Sequence, residues 1–147
     1  MPKLVRDIMM RKVIMIDPQK TVLEASKIMS KMRIGSLLVK RNNKAVGIIT
    51  ERDVVRRVVS KNLNPAGITV EKVMSKPLIT ANPNATVFEA ARLMAQNRIR
   101  RLPVVQGADL VGIVTSTDLA KYLGQIAGPR SYKLWRSEVE GSGLQEL

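Results

Sequence analysis

Two seven-residue segments, GIITERD at 47–53 and GIVTSTD at 112–118, place a threonine and an aspartate three residues apart. Each pair falls where a predicted strand ends and a predicted helix begins. There a hydroxyl and a carboxylate can cap the free N–H groups of the helix. They can also hold a nucleotide, because a carboxylate accepts hydrogen bonds from a ribose diol and a helix N-terminus suits a phosphate. Both interpretations stay open for Thr50 with Asp53 and for Thr115 with Asp118.

Arginines suited to phosphate lie close to these pairs in the sequence. The segment RIRRLPV at 98–104 places Arg100 and Arg101 just before a predicted strand, and Arg52 lies inside GIITERD. A guanidinium binds two phosphate oxygens at once, which makes arginine a common phosphate ligand. The alternative is that these side chains are solvated or paired with glutamates.

The composition argues against catalysis. The chain of 147 residues contains no Cys and no His, which removes thiolate nucleophiles, disulfides, the commonest general base and the commonest metal ligand. Neither a GxxxxGK[ST] phosphate-binding loop nor a GxSxG nucleophile motif is present. We therefore expect no enzyme, no catalytic residues and no metal site.

The charge is strongly positive and unevenly spread. The net charge is +13, and residues 1–65, with 15 basic and 5 acidic side chains, carry +10 of it. Such a field favours anionic partners, including nucleotides and nucleic acids. Against nucleic acid, the one Phe and one Trp leave few side chains for base stacking. No apolar run approaches the roughly 20 residues that cross a bilayer, so we expect a cytoplasmic protein without membrane insertion.

The two segments belong to an internal duplication. A shift of 65 positions aligns residues 5–59 with residues 70–124 without a gap, and 18 of the 55 pairs are identical. TVLEA at 21–25 meets TVFEA at 86–90, and each begins a Thr-x-x-Glu capping box that predicts a helix.

Each copy predicts the same order of elements, β-α-β-β-α. The predicted elements of the two copies are short strands at 13–16 and 78–80, helices after Thr21 and Thr86, strand pairs at 36–40 with 45–50 and at 102–106 with 110–115, and second helices near Asp53 and Asp118. A half of about 60 residues cannot close its own core. The fold class predicted is therefore α/β (α+β), with the two repeats packed sheet to sheet about a pseudo-two-fold axis. We divide the chain into repeat 1 (1–62), a linker (63–67), repeat 2 (68–128) and a tail (129–147).

The elements in this order resemble tandem CBS domains, the pair called a Bateman module. The resemblance rests on T-V-x-E-A-x-x-x-M, R-I-x-x-L-P-V and G-I-V-T-x-x-D, repeated in order over about residues 3–126. The chain most resembles stand-alone archaeal CBS pairs that have no attached enzyme or transporter. Such pairs commonly form flat dimers, so the resemblance implies a homodimer.

The resemblance also implies two ligand clefts between the repeats, in which Asp holds ribose, Thr holds phosphate and the first strand of the opposite repeat lies beside adenine. Cleft one then contains Thr50, Asp53, Leu78, Ile79 and Thr80. Cleft two contains Thr115, Asp118, Val13, Ile14 and Met15. Arg100, Arg101 and Arg52 match positions that are often basic in the family, and Thr117 stands in the second copy where Arg52 stands in the first.

The resemblance implies a regulatory module that binds an adenosine compound and signals to an unknown partner protein without needing a cofactor. The arginines favour AMP, ADP or ATP over S-adenosylmethionine as its ligand. Nucleic-acid binding by the basic first repeat is the alternative. The tail contains Tyr132, Leu134 and Trp135, which could dock on the body, a second subunit or a partner.

Overall fold

The computed structural model describes residues 3–42 and 44–125, so the predicted docking of the tail at 129–147 lies outside the described residues. The elements of the first half are α1 (Val5–Ile8), β1 (Met15–Ile16), α2 (Val22–Met32), β2 (Ser36–Arg41), β3 (Lys44–Thr50) and α3 (Glu51–Val54), which continues as a π-helical turn (Val55–Val59). The elements of the second half are a 3₁₀ turn (Pro65–Gly67), α4 (Val70–Val73), α5 (Val87–Asn97), β4 (Arg101–Gln106), β5 (Asp109–Thr115) and α6, described over residues 116–125.

The capping boxes start the two long helices as predicted. The Thr21 hydroxyl accepts a hydrogen bond from the Glu24 N–H at 3.1 Å, and the Thr86 hydroxyl accepts one from the Glu89 N–H at 3.1 Å. In both boxes the glutamate carboxylate accepts the N–H of its threonine in return. Four otherwise unpaired N–H groups are thus satisfied, which fixes where α2 and α5 begin.

Each half contains an antiparallel hairpin with the same register. Strand β2 pairs with β3, with Ser36 opposite Thr50, and β4 pairs with β5, with Arg101 opposite Thr115. In the first half, β1 adds a third, parallel strand beside β2. The end of each hairpin therefore delivers a threonine directly to the start of a helix.

The predicted strand at 78–80 is wrong, because a parallel bridge between Ala81 and Val104 takes its place. In the first half the Leu38 N–H donates to the Ile14 carbonyl at 3.3 Å. Pro103 stands at the position that matches Leu38 and has no N–H, so Ile79 cannot be paired in the same way. The first predicted strand is real but shorter, Met15–Ile16 instead of 13–16.

The two halves exchange their first segments. Residues 3–10, which include α1, bond to the second half, where the Val5 N–H donates to the Ala85 carbonyl at 2.8 Å. Residues 68–75, which include α4, bond to the first half, where the Val70 N–H donates to the Lys20 carbonyl at 2.8 Å. We call these two stretches the crossing segments.

The cores follow this exchange. One core is built from the first half together with Val70, Val73 and Met74, and the other is built from the second half together with Val5. Val5 and Val70 are both fully buried. Each half therefore depends on the other for its core. The architecture is the predicted α+β one, made of two repeats that need each other.

Candidate functional site

The first Thr/Asp pair forms a capping box at the start of α3. The Thr50 hydroxyl accepts the Asp53 N–H at 3.1 Å, and the Asp53 carboxylate accepts the Thr50 N–H at 3.0 Å through Oδ2. We call residues 50–53 the first junction. The capping interpretation left open by the sequence is therefore correct for the backbone here, and the question becomes what else the carboxylate does.

The other carboxylate oxygen of Asp53 is engaged as well. The Ser75 hydroxyl donates to Asp53 Oδ1 at 2.9 Å, and the Arg57 Nε lies 3.9 Å from the same oxygen. Asp53 is only 7% exposed, the one charged side chain in the described residues that is classed as buried. A buried carboxylate is stable only when it is hydrogen-bonded and paired, and these neighbours supply both.

The second junction, residues 115–118, has the same cap. The Thr115 N–H donates to Asp118 Oδ2 at 2.8 Å, and the Asp118 N–H donates to the Thr115 hydroxyl at 3.2 Å. The Thr115 hydroxyl also lies 3.0 Å from Asp118 Oδ2 and donates to it. Among the described residues, nothing hydrogen-bonds to Asp118 Oδ1.

The difference between the junctions follows from two substitutions between the repeats. Ser75 is matched by Met10 and Arg57 by Tyr122. Met10 has no donor for a carboxylate, and the buried Tyr122 ring carries Lys3 at 5.7 Å from its centroid. Sequence reasoning missed Ser75 and Arg57, although the alignment of the two repeats showed a polar or charged residue against an apolar or aromatic one at both positions.

The two arginines predicted to bind phosphate, Arg100 and Arg101, lie in different environments. Arg100 is exposed, and its carbonyl accepts the Ser116 N–H at 2.8 Å, so its backbone lies at the second junction. Arg101 is half-buried, and its guanidinium reaches across the repeats to Gly35, where any Cβ would overlap it. Burial lowers the pKa of Arg101, and the nearby Glu51 charge opposes this. Arginine remains charged at neutral pH despite such a shift.

The remaining predicted residues are surface or partly buried positions. Arg52 and Thr117 are exposed. Of the residues predicted beside the base, Met15 and Thr80 are exposed, and the half-buried ones are Val13, Ile14, Leu78 and Ile79.

The crossing segments lead these base-side residues past the junctions. The Ser75 N–H donates to the Ile48 carbonyl at 2.8 Å, three residues before Leu78. The Met10 N–H donates to the Ile113 carbonyl at 2.8 Å, three residues before Val13. These backbone bonds place the start of each base-side segment near one junction. Which residues line cleft one and cleft two stays a prediction.

Two surface cavities in the described part of the chain lie away from both junctions. One of about 430 Å³ is lined by Met15, Ile16, Asp17, Lys40 and Asn42. Another of about 140 Å³ is lined by Arg6, Met9, Arg11, Pro83, Asn84, Gln106 and Val111. Only Met15 belongs to a predicted cleft. The junctions are therefore identified by their chemistry, a capped Thr/Asp pair at a helix start, and not by either of these cavities.

Two further features of residues 3–42 and 44–125 bear on function. Their acidic side chains form no group of three that could hold a metal ion. Their helices include none of the length and apolar character needed to cross a membrane.

Comparison with known proteins identifies the family. A CBS domain model matches the chain twice, over residues 5–60 and 70–125. The CBS domain-containing protein YhcV of Bacillus subtilis (strain 168) is 37% identical over 116 residues, which are 79% of this chain and 82% of that protein.

Solved structures agree. An uncharacterized conserved protein from Pyrococcus horikoshii superposes with a TM-score of 0.78 at 35% identity, covering 83% of this chain and 92% of that one. The CBS domain pair of protein MJ0100, in complex with methylthioadenosine and S-adenosyl-L-methionine, superposes with a TM-score of 0.77 at 32% identity, covering 85% and 98%. This chain belongs to the CBS domain family and contains a tandem pair of CBS domains.

Proposed function

We propose that this chain is a regulatory module that binds an adenosine-containing ligand between its two repeats and signals ligand binding to a partner protein. AMP, ADP and ATP are favoured over S-adenosylmethionine. The role is regulatory and not catalytic, because the chain contains no Cys or His and its Thr/Asp pairs act on helix N–H groups, not on a nucleophile.

One observation carries the proposal, namely the unused carboxylate oxygen at the second junction. Asp118 is half-buried and anchored through Oδ2, so its position is fixed while Oδ1 has no partner among the described residues. A ribose diol offers two O–H donors that a fixed carboxylate accepts well. A cap alone uses only one of the two oxygens.

The surroundings of the second junction favour a phosphate on the ligand. Helix α6 begins at residue 116, and the positive end of a helix attracts anions. The backbone of the exposed Arg100 lies beside this helix start. Within the described residues, its side chain forms no salt bridge with a carboxylate. S-adenosylmethionine has no phosphate to use these groups, which is why nucleotides are preferred.

Similarity supports the adenosine part of the ligand. The MJ0100 pair was solved with methylthioadenosine and S-adenosyl-L-methionine, both of which contain adenosine. We assign cleft two to Thr115, Thr117 and Asp118 with Val13, Ile14 and Met15 beside the base. The predicted cleft one consists of Thr50, Arg52 and Asp53 with Leu78, Ile79 and Thr80. Arg100 and Arg101 serve the phosphates.

The exchange of crossing segments gives the ligand a route to a partner. Each half has a core that is completed by residues of the opposite half. A ligand bound between the repeats would therefore shift the arrangement of both halves. A partner protein would have to contact the surface of the module or of the predicted homodimer. Val55 and Val59 are exposed on one face of the π-helical turn, at 59% and 65%, and are candidates for this contact. The homodimer, the regulated protein and the cytoplasmic location stay predictions.

Calorimetric titration with AMP, ADP, ATP and S-adenosylmethionine tests the proposal. The wild-type chain is expected to bind at least one of the nucleotides, and the double variant Asp53→Ala/Asp118→Ala is expected to bind none. Asp109→Ala is the matched control, because it removes one exposed carboxylate at the far end of β5 and leaves both junctions intact. Absence of binding by the wild-type chain to all four compounds would reject the proposal.

Nucleic-acid binding is the second candidate, supported by the exposed Arg52, Arg56 and Lys61 of the +10 first repeat. Its mark is a steep fall in affinity with salt, because each phosphate contact releases counterions. Fluorescence anisotropy with single-stranded RNA and duplex DNA over a salt series measures this. Tight, salt-sensitive binding together with no nucleotide binding would favour this candidate.

A further inference from the structure

We propose that Ser75 and Arg57 disable the first junction, so that this chain binds one ligand, at Thr115 and Asp118. The inference rests on the proposed function and refines it by naming the working site and the residues that select it. The duplication preserved both Thr/Asp pairs, whereas their neighbours diverged.

The first step concerns the oxygens that a ligand could use. At the first junction, Oδ2 of Asp53 accepts the Thr50 N–H and Oδ1 accepts the Ser75 hydroxyl. A ribose diol would have to displace that hydroxyl and share the oxygen with the Arg57 guanidinium, 3.9 Å away. At the second junction, no described residue competes for Asp118 Oδ1. Within the described residues, the diol therefore has no side chain to displace there.

The second step concerns whether Ser75 could move aside. Its backbone is held against one edge of β3 by two hydrogen bonds, since the Ser75 N–H donates to the Ile48 carbonyl at 2.8 Å and the Ile48 N–H donates to the Ser75 carbonyl at 3.1 Å. Rotating the hydroxyl away would leave a 7%-exposed carboxylate with one fewer donor. Such groups are costly to leave unsatisfied.

The third step concerns Arg57. Its Nη1 donates to the carbonyls of Val73 at 2.9 Å and Met74 at 3.1 Å, at the end of α4. These two bonds tie the guanidinium to the crossing segment and keep it beside Asp53. In the second repeat the matching Tyr122 carries no charge and points into the core. A cation held 3.9 Å from Asp53 Oδ1 competes with any ligand donor for that carboxylate.

The decisive test is a titration with AMP that follows both affinity and stoichiometry. We expect one AMP per chain, a loss of at least about tenfold in affinity for Asp118→Ala, as removal of hydrogen bonds to a charged group implies, and little change for Asp53→Asn. The Asp109→Ala variant is again the charge control. Two equivalent sites, or loss of binding in Asp53→Asn with binding kept in Asp118→Ala, would overturn the assignment.

A gain of function tests the blocking residues themselves. Replacing Ser75→Ala and Arg57→Ala together frees the Asp53 carboxylate, and we expect a second AMP to bind per chain. A stoichiometry that remains at one would show that Ser75 and Arg57 are not what closes the first junction. Circular dichroism establishes that the double variant is folded.

A measurement without ligand keeps the two proposals separable. Carboxyl labelling with a carbodiimide and glycine ethyl ester, read by mass spectrometry, should modify Asp118 several-fold faster than Asp53. The Ser75→Ala/Arg57→Ala variant should raise labelling at Asp53 alone. Equal labelling in the wild-type chain would refute the blocked site whether or not a nucleotide binds. If labelling differs but no nucleotide binds, the proposed function fails while the blocking contacts stand.

Discussion

The first and second junctions have the same backbone and different neighbours. Both use a threonine hydroxyl and an aspartate carboxylate to close a capping box at the end of a strand. Around Asp53 the chain adds a serine hydroxyl and a guanidinium, whereas the matching positions around Asp118 hold Met10 and Tyr122. The comparison teaches that both copies keep the local cap, which each helix needs. The residues that are distant in sequence differ, and in the first copy they engage the aspartate carboxylate.

The same contrast holds for the crossing segments. Residues 68–75 are fixed to the first half by Arg57, which bonds the carbonyls at the end of α4. Residues 3–10 are fixed to the second half by backbone pairing, by a hydrogen bond from Arg6 to Asn84 and by Lys3 above the Tyr122 ring. Equal folds are therefore stabilised by different side-chain chemistry in the two halves.

The largest expected effect on stability comes from the two aspartates. Asp53→Ala should cost about 2–4 kcal/mol, because it removes the helix cap and leaves the Ser75 hydroxyl without its acceptor. Asp118→Ala should cost only about 1 kcal/mol, the usual value of a helix cap. Urea unfolding of both variants measures the difference. Equal losses would contradict the distinction between a locked and an open carboxylate.

The glycines of the two motifs give a smaller and closer comparison. A Cβ at Gly112 would lie 2.8 Å from the Met10 carbonyl, whereas one at Gly47 would lie 3.1 Å from the Ser75 carbonyl. Backbone yields less readily than a methionine side chain, so overpacking should cost about 1–3 kcal/mol at both sites and more at Gly112. Thermal unfolding of Gly112→Ala and Gly47→Ala checks this. A larger loss for Gly47→Ala would show that the crossing segment at 68–75 is the more rigid one.

The smallest effect concerns pH. A hydrogen bond from Arg41 lowers the pKa of Glu71, which also accepts one from Gln19, and Arg6 occupies the matching position in the first repeat. A carboxyl whose folded pKa is depressed contributes stability above its unfolded pKa and loses it as pH falls through the folded value.

Arg41→Gln should therefore flatten the loss of stability on acidification, measured by urea unfolding from neutral pH into the carboxyl range. Arg6→Gln is the control, because among the described residues Arg6 bonds Asn84 and forms no ion pair with a carboxylate. An unchanged acid profile in Arg41→Gln would mean that this exposed pair contributes nothing.

The sequence was informative where structure is local. Thr21 with Glu24 and Thr86 with Glu89 predicted the helix starts, and the repeated motif places Gly47 and Gly112 where the crossing segments lie against them. These features depend on residues a few positions apart or on the absence of a side chain.

Long-range packing was not predictable in the same way. The exchange of residues 3–10 and 68–75 depends on which core each short helix enters, and nothing in a four-residue helix specifies that. The Ser75 bond to Asp53 spans 22 positions and follows from the exchange. The missing strand at 78–80 follows from Pro103, whose effect appears only once the strand register is known.

The most direct test of the central claim is amide chemical-shift mapping of the isotope-labelled chain with AMP, with ADP, ATP and S-adenosylmethionine in parallel. The account predicts the largest shifts at residues 115–118 and Arg100, together with 13–15, and small shifts at residues 50–53 and Ser75. Shifts centred on residues 50–53, or shifts of equal size at the two junctions, would contradict it, as would no shifts with any of the four compounds.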